Sequence, residues 1–284
     1  MAARIMIAEE VLTHHKRQVA LTYNMAAAGY DNCSLRFFPS CASRLIELSG
    51  LCHGQKVLDV ATGTGAAALA ASGRVGSTGR VTGVDIAGEM LEQARLKSQA
   101  QGRNNIEWLE MDAEHLDFPD ETFNAVTSSF GIFFIPGMQD ALGEWLRVTR
   151  PGGVLAISGF GSSAFQPQSD LFEARLRSYG VEFPLDHRPF SWQRLDRPEQ
   201  YEELLSAAGC SGVRIYTEQQ GYFLSGADEW WDIICGSGFR GAISQLGPDE
   251  LERFKTEHLY EVGRLSARDG IWLDVEAIFA IGLK

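Results

Sequence analysis

The segment Val57-Leu58-Asp59-Val60-Ala61-Thr62-Gly63-Thr64-Gly65 runs a short apolar stretch into a glycine loop, and Ala66 to Ala71 continues it as an alanine-rich helix start. Glycines let a backbone come close to a ligand, and the helix behind them aims its first N–H groups at it. Such a unit suits a cofactor that carries adenosine. The carboxylate Asp85 ends the next apolar stretch, about twenty residues after Gly65, where it can accept both hydroxyls of a ribose. A second acidic position, Met111-Asp112-Ala113-Glu114, follows a third such stretch and could hold an adenine amino group.

Two cofactor classes compete for this loop. Gly63-Thr64-Gly65-Ala66-Ala67-Ala68 fits the G-x-G-x-x-G/A pattern of dinucleotide sites, so a nicotinamide-dependent oxidoreductase is one reading. S-adenosylmethionine (SAM) is the other, and three features favour it. Asp59 sits inside the entry strand, where it suits a ligand with an amine and a sulfonium better than a pyrophosphate. Asp112 supplies the second acidic position. About fifty residues of helical sequence precede the loop, whereas dinucleotide domains often begin with it. A non-catalytic SAM-binding protein would carry the same motifs. Structurally, the loop could be a plain tight turn, Asp85 a strand-end cap and Asp112 a turn former.

The elements needed to position these groups are legible in outline. Residues 8–30 read as a helix with an apolar stripe through Leu12, Val19, Tyr23 and Ala26, and Leu35 to Leu48 as a second, starting properly after Pro39. Strands are expected over Lys56–Val60, within Gly79–Asp85 after a turn, and over Ile106–Glu110, Phe123–Ser128 and Val154–Gly159. Helices are expected after Gly65, over Gly88–Gln101 and over Met138–Val148. This alternation implies βαβ units, a mostly parallel sheet and helices on both faces. Residues 161–195 read as a helix and covering loops, Arg197–Gly209 as a helix and Val213–Thr217 as a strand. Residues 227–265 read as two helical pieces broken near Gly247-Pro248, and Ile271–Leu283 as one closing strand.

From Val57 to about Gly159 the sequence resembles class I SAM-dependent methyltransferases, and within them the ubiquinone/menaquinone-biosynthesis type. The glycine segment carries the resemblance together with Val84-Asp85-Ile86, Met90-Leu91, Met111-Asp112-Ala113-Glu114, Phe118-Pro119-Asp120, Ser128-Ser129-Phe130-Gly131 and Arg150-Pro151-Gly152-Gly153. It implies a Rossmann-like, doubly wound α/β fold: a seven-stranded sheet with an antiparallel last strand, N-terminal helices and a helical cap. The cofactor would be SAM and its product S-adenosylhomocysteine (SAH). Asp59, Ala61, Thr62, Gly63, Thr64 and Gly65 would form the loop at its methionine end. Asp85 would hold the ribose and Ile86 would pack on the adenine, with Met90 and Met111 as further cofactor-binding residues. Asp112 and Ala113 would meet the adenine edge, and Ser129 and Phe130 would line the wall near the methyl group. Tyr30-Asp31 resembles a Tyr-Asp pair whose tyrosine closes over SAM. Ala61 stands where the general pattern has its first glycine. Ile132-Phe133-Phe134 replaces the Arg-Asn pair usual after Phe-Gly in the quinone enzymes, so the resemblance does not carry the quinone acceptor over.

The acceptor should lie beyond the carboxyl ends of the strands. Aromatics crowd the segments that would cover it, and Tyr23, Phe133, Phe134 and Trp231 are its candidate lining. That points to a small or medium, largely apolar organic acceptor methylated on O, N or C. Tyr30, His115 and His187 are the candidates for a catalytic proton-transfer group, although a lone histidine is more often structural. No metal is expected, since the five cysteines are scattered without a C-x-x-C pair. The same scatter argues for a reduced, cytoplasmic protein, and the N-terminal residues have no signal-like apolar run. A net charge of −12 repels nucleic acid, and the pairs Arg147/Arg150 and Arg175/Arg177 are too small to offset it. No apolar run approaches the ~18 residues of a membrane span. The expected division is a helical cover over 1–50, a SAM-binding core over 51–160, and the rest of the sheet over 161–284 with insertions at 161–195 and 227–265.

Overall fold

A computed structural model describes residues 2–181 and 191–284, with side chains described from His14 onward. Helix α1 (Ala2–Ala26) ends in a single tight turn at Ala27–Gly29. Helix α2 spans Phe37–Leu48, with Pro39 in its first turn, where a missing N–H leaves no intrahelical bond unmade. Then come β1 (Lys56–Val60), α3 (Ala66–Val75), β2 (Arg80–Asp85), α4 (Gly88–Ala100), β3 (Ile106–Glu110), β4 (Phe123–Ser129) and α5 (Met138–Val148). Strand β5 (Thr149–Phe160) contains the Pro-Gly-Gly segment, absorbed by a register shift against β4 between Phe123 and Ala125. The chain continues through α6 (Gln168–Ser178), α7 (Pro198–Ala207), β6 (Ser211–Gln219), β7 (Tyr222–Leu224), α8 (Ala227–Cys235), α9 (Arg240–Ile243), α10 (Pro248–Gly263), β8 (Ile271–Leu273) and β9 (Glu276–Leu283).

The main sheet has seven strands in the order β3-β2-β1-β4-β5-β9-β6. Strands β1 to β5 are parallel, while β9 runs antiparallel to both of its neighbours. The order reverses between β1 and β4, which opens a crevice at their carboxyl ends. Strand alternation divides the core into two layers. Val57 and Ala125 pack with α2, α3 and α4, whereas Leu58, Val60 and Val126 pack with α5 and the C-terminal helices.

Two expectations change. The stretch Ile271–Leu283 is two strands: β8 pairs with β7 in a separate two-stranded sheet, and only β9 enters the main one. Side chains take over at the break, where Gln219 Oε1 accepts from Val275 N at 3.0 Å and Asp274 Oδ1 accepts from Glu276 N at 3.0 Å. Residues 227–265 form three helices instead of two. Besides the break at Gly247-Pro248, Gly236 and Gly238 interrupt the run between α8 and α9. Beside these glycines the backbone meets its neighbours closely: a Cβ on Gly236 would lie 2.6 Å from the carbonyl oxygen of Gly29.

Candidate active site

The glycine loop leaves β1 through Ala61, whose φ of +52° lies in the left-handed region. A glycine would meet that turn without strain, so alanine here costs about 1–2 kcal/mol. Its Cβ is accommodated because residue 131 has none; a Cβ on Gly131 would lie 2.6 Å from that of Ala61. At the far end Gly65 (φ +82°) starts α3, and a Cβ there would come within 2.5 Å of the Trp108 ring. Both loop ends are thus fixed by close approach.

Two carboxylates, Asp59 buried and Asp85 half-buried, organise the loop in different ways. Asp59 is 1% exposed and takes hydroxyl hydrogen bonds from Thr62 (2.5 Å) and Thr127 (2.6 Å), tying the loop to β4. Burial pushes its carboxyl up to about 6, against the lowering effect of those hydroxyls. Asp85 Oδ2 accepts from Gly63 N at 2.7 Å and Oδ1 from Ala87 N at 2.9 Å. Burial raises its carboxyl above the usual range, partly offset by these backbone N–H groups. Each Asp85 oxygen keeps lone-pair capacity toward the cleft, which suits a pair of ribose hydroxyls.

A cleft opens beside the loop, and its lining mixes polar and apolar groups as small-molecule sites do. Eleven of the cofactor residues expected from sequence line it: Tyr30, Ala61, Gly63, Asp85, Ile86 and Met90 on one side, and Met111, Asp112, Ala113, Ser129 and Phe130 on the other. The donor set fits SAM. Asp85 offers the carboxylate that ribose hydroxyls would need, Ile86, Met90 and Met111 offer apolar faces that an adenine would need, and Ala61 and Gly63 of the tight glycine turn would border the methionine end.

Asp59, Thr62, Thr64 and Gly65 support the loop from behind and do not line the cleft. Thr64 Oγ1 bonds Asp31 Oδ1 at 2.9 Å, and Lys97 Nζ reaches both atoms at 2.9 Å. This triad anchors the residue next to Tyr30. Sequence reasoning missed Lys16, which reaches from α1 to Asp112 at 2.6 Å and also pairs with Glu114. Burial opposes the charge on Asp112, but the Lys16 contact and the Glu114 N–H hold its carboxyl below the usual range. No sequence spacing links residue 16 to 112; only packing of α1 over the cleft does.

A second cavity of about 580 Å³ shares Tyr23, Tyr30, Phe130 and Phe134 with the first. Its other walls are Phe37 and Phe38 of α2, Phe133, Phe160 and Phe165, Trp192, and Ile233 and Phe239 of the cap. Phe160 is the hub: its ring stacks on Phe130 at 4.2 Å and meets Phe165 at 4.8 Å and Trp192 at 5.9 Å. Arg194 braces this wall by donating to the carbonyl oxygens of Phe133 (3.0 Å), Ile135 (3.1 Å) and Pro136 (3.0 Å).

Among the expected acceptor residues, Tyr23, Phe133 and Phe134 line this cavity. Trp231 does not; it packs near Phe254 and under Lys255, while its neighbour Trp230 is fully buried. Of the proton-transfer candidates, Tyr30 lies between the cavities, with its hydroxyl held protonated by burial and by Tyr23 and Asp85 nearby. His115 is 79% exposed, 3.5 Å from Asp112, and lines neither cavity. His187 lies outside the described residues. The missed aromatics come from separate elements and each reads alone as core. The doublet Phe37-Phe38 and the count of 16 phenylalanines were the available signals.

Comparison with known proteins bears on this geometry. Residues 12–180 match the model of the ubiE/COQ5 methyltransferase family. Aklanonic acid methyltransferase DauC of a Streptomyces species is 30% identical over 223 residues, which span 73% of this chain and 98% of that protein. The ubiquinone/menaquinone biosynthesis C-methyltransferase UbiE of Cronobacter sakazakii is 39% identical over 130 residues, covering 45% of this chain and 52% of that protein. The chain thus spans about half the length of the UbiE relatives that it matches. The crystal structure of YcgJ from Bacillus subtilis superposes with a TM-score of 0.58 at 22% identity, covering 86% of this chain and 98% of that one. That likeness is one of fold.

Proposed function

The chain belongs to the ubiE/COQ5 methyltransferase family of class I SAM-dependent enzymes, and on that premise we propose that it methylates a flat, largely apolar aromatic or quinone-like small molecule held in the second cavity. The observation that carries this reading is the shared wall. One cavity has the polar donors that suit SAM, the other is walled by aromatic rings, and Tyr23, Tyr30, Phe130 and Phe134 belong to both. A relative named for an acid acceptor and others named for quinone biosynthesis agree in class with such an acceptor.

Bound SAM supplies an electrophilic methyl on a positive sulfur. The chain's task is then to orient two partners and exclude water, which can supply roughly 7–11 kcal/mol. Asp85 and the loop hold the cofactor from the sheet side, Tyr30 and Tyr23 cover it from α1 and the turn after it, and the phenylalanines hold the acceptor plane. The tyrosine hydroxyls have their pKa values raised by burial, so they serve as hydrogen-bond donors and not as bases at neutral pH. On this reading residues 1–50 cover both ligands, 51–160 bind SAM, and the insertions at 161–195 and 227–265 shape the acceptor cavity. We place the enzyme in the cytoplasm, since all five cysteines are free. No described helix is long and apolar enough to cross a membrane.

Calorimetric titration with SAM, SAH and NAD, followed by transfer of labelled methyl to a panel of aromatic acids, phenols and quinols, tests the proposal. It expects SAM and SAH to bind, NAD to be silent and label to appear on a planar acceptor. NAD binding with silent SAM would overturn it.

A further inference from the structure

Among the described residues, one fully buried side-chain polar atom that lines the aromatic cavity makes no hydrogen bond. Ser237, between α8 and α9, is 6% exposed and lines the cavity, and its Oγ makes no hydrogen bond among the described residues. Its neighbours along the chain explain its position. Gly236 lies against the Gly29 carbonyl, and a Cβ on Gly238 would stand 3.1 Å from the Tyr23 hydroxyl. The cap backbone is therefore pressed onto α1 and its following turn, and Ser237 is held between two close contacts. A desolvated hydroxyl without a partner is unfavourable, and an alanine would fill the same space without that cost. The site gains from the serine only when something in the cavity bonds to it.

We propose that Ser237 is an acceptor-recognition residue whose hydroxyl bonds a carbonyl or hydroxyl oxygen on the ring system of the acceptor. The inference rests on the reading of the second cavity as the acceptor site. It assigns a wall atom to the oxygen that a quinone-like or phenolic acceptor carries. Tyr23, Tyr30 and Ser191 bring other hydroxyls to the cavity, but Phe239 and Ile233 flank Ser237 on the cap side, so on that wall its hydroxyl is the group that discriminates against the bare hydrocarbon. A site built to bond an oxygen rejects an analogue that lacks it more strongly than an apolar pocket can.

Two soluble probes separate the possibilities: a hydroxyanthraquinone carboxylic acid and anthracene carboxylic acid, each titrated in the presence of SAH into the parent and into Ser237→Ala. For the parent, the oxygenated probe should bind more tightly. In Ser237→Ala its affinity should fall by about threefold to tenfold, the range of one neutral hydrogen bond, while the anthracene probe binds as well as before or better. Equal losses for both probes, or no loss for the oxygenated one, would overturn the Ser237 assignment alone. Failure of the parent to bind either probe while it binds SAH would overturn the aromatic-acceptor reading and this inference with it. Far-ultraviolet circular dichroism and SAH affinity unchanged in the variant show that the fold and first cavity persist.

Discussion

Replacing Asp59 or Asp85 by asparagine should have opposite consequences, because their partners differ in kind. Asp59 is bonded by the hydroxyls of Thr62 and Thr127, which can rotate and accept as readily as they donate, and by a single backbone N–H, that of Ala68, which the one oxygen of an asparagine can keep. Its raised carboxyl, near 6, already tolerates neutrality. Asp59→Asn should therefore cost no more than about 1 kcal/mol and leave SAM affinity within a few-fold. Asp85 is bonded by the backbone N–H groups of Gly63 and Ala87, one on each oxygen, with that of Ile86 also directed at the carboxylate. A backbone N–H cannot reverse. Asp85→Asn must set its NH₂ against one of them, losing a charge-assisted bond and leaving donors unpaired, at about 1–3 kcal/mol. It also presents only one acceptor to the ribose.

Asp85→Ala removes the same bonds but lets water reach the loop. Both Asp85 variants should weaken SAM binding at least tenfold, since about 1.4 kcal/mol is one decade, and asparagine should be no better than alanine. Titration calorimetry gives the affinities and thermal melting the fold. Asp85→Asn binding SAM tightly, or Asp59→Asn damaging binding as much as Asp85→Asn, would refute the reasoning from donor type. A further consequence is pH-dependent. SAM affinity should weaken on acidification as Asp85 is protonated, with a midpoint above the usual aspartate value.

Other predictions concern the second cavity and its supports. Phe160→Ala removes the hub ring and should raise the acceptor KM with little change in SAM affinity, measured by paired acceptor kinetics and calorimetry; parallel losses would deny the separation of the cavities. Arg194→Met leaves three carbonyls unbraced and should destabilise the fold by about 1–3 kcal/mol by denaturant titration. Arg194→Lys should recover only part, since an ammonium lacks the guanidinium fork. His258 is fully buried, accepts from Trp230 Nε1 at 2.8 Å, and burial lowers its pKa to about 4. Between about pH 6.5 and 4 the unfolded chain binds a proton that the folded chain refuses, so stability is lost as pH falls through that window. His258→Gln should flatten that loss by up to about 3 kcal/mol relative to the parent, and equal slopes for the two proteins would contradict it.

The gathering of the proposed cofactor residues in one cleft was legible in the sequence because its determinants are local. A strand, a glycine turn and a carboxylate at the end of the next strand are fixed by spacing along the chain, and Ala61, Gly63, Asp85, Ile86 and Met111 come together in one cleft. The mostly parallel sheet followed from the same alternation, and its antiparallel last strand from the family resemblance. The acceptor half was not legible, because Phe37, Phe160, Trp192 and Phe239 meet only through tertiary packing. Trp231 shows the limit of reading an aromatic pair. On α8 the helical period buries Trp230 with Ile233 and Ile234 and turns Trp231 toward α10. Lys16 and Ser237 were missed for a related reason, since their meaning lies in partners gained or lacking across the fold.

The most direct test of the two-cavity account is a crystal structure with SAH and a bound planar acceptor. The account predicts SAH in the loop cleft with its ribose hydroxyls on Asp85, and the acceptor plane among Phe130, Phe160 and Phe239, across the wall formed by Tyr23 and Tyr30. An acceptor seated elsewhere, or SAH with its ribose turned away from Asp85, would contradict it.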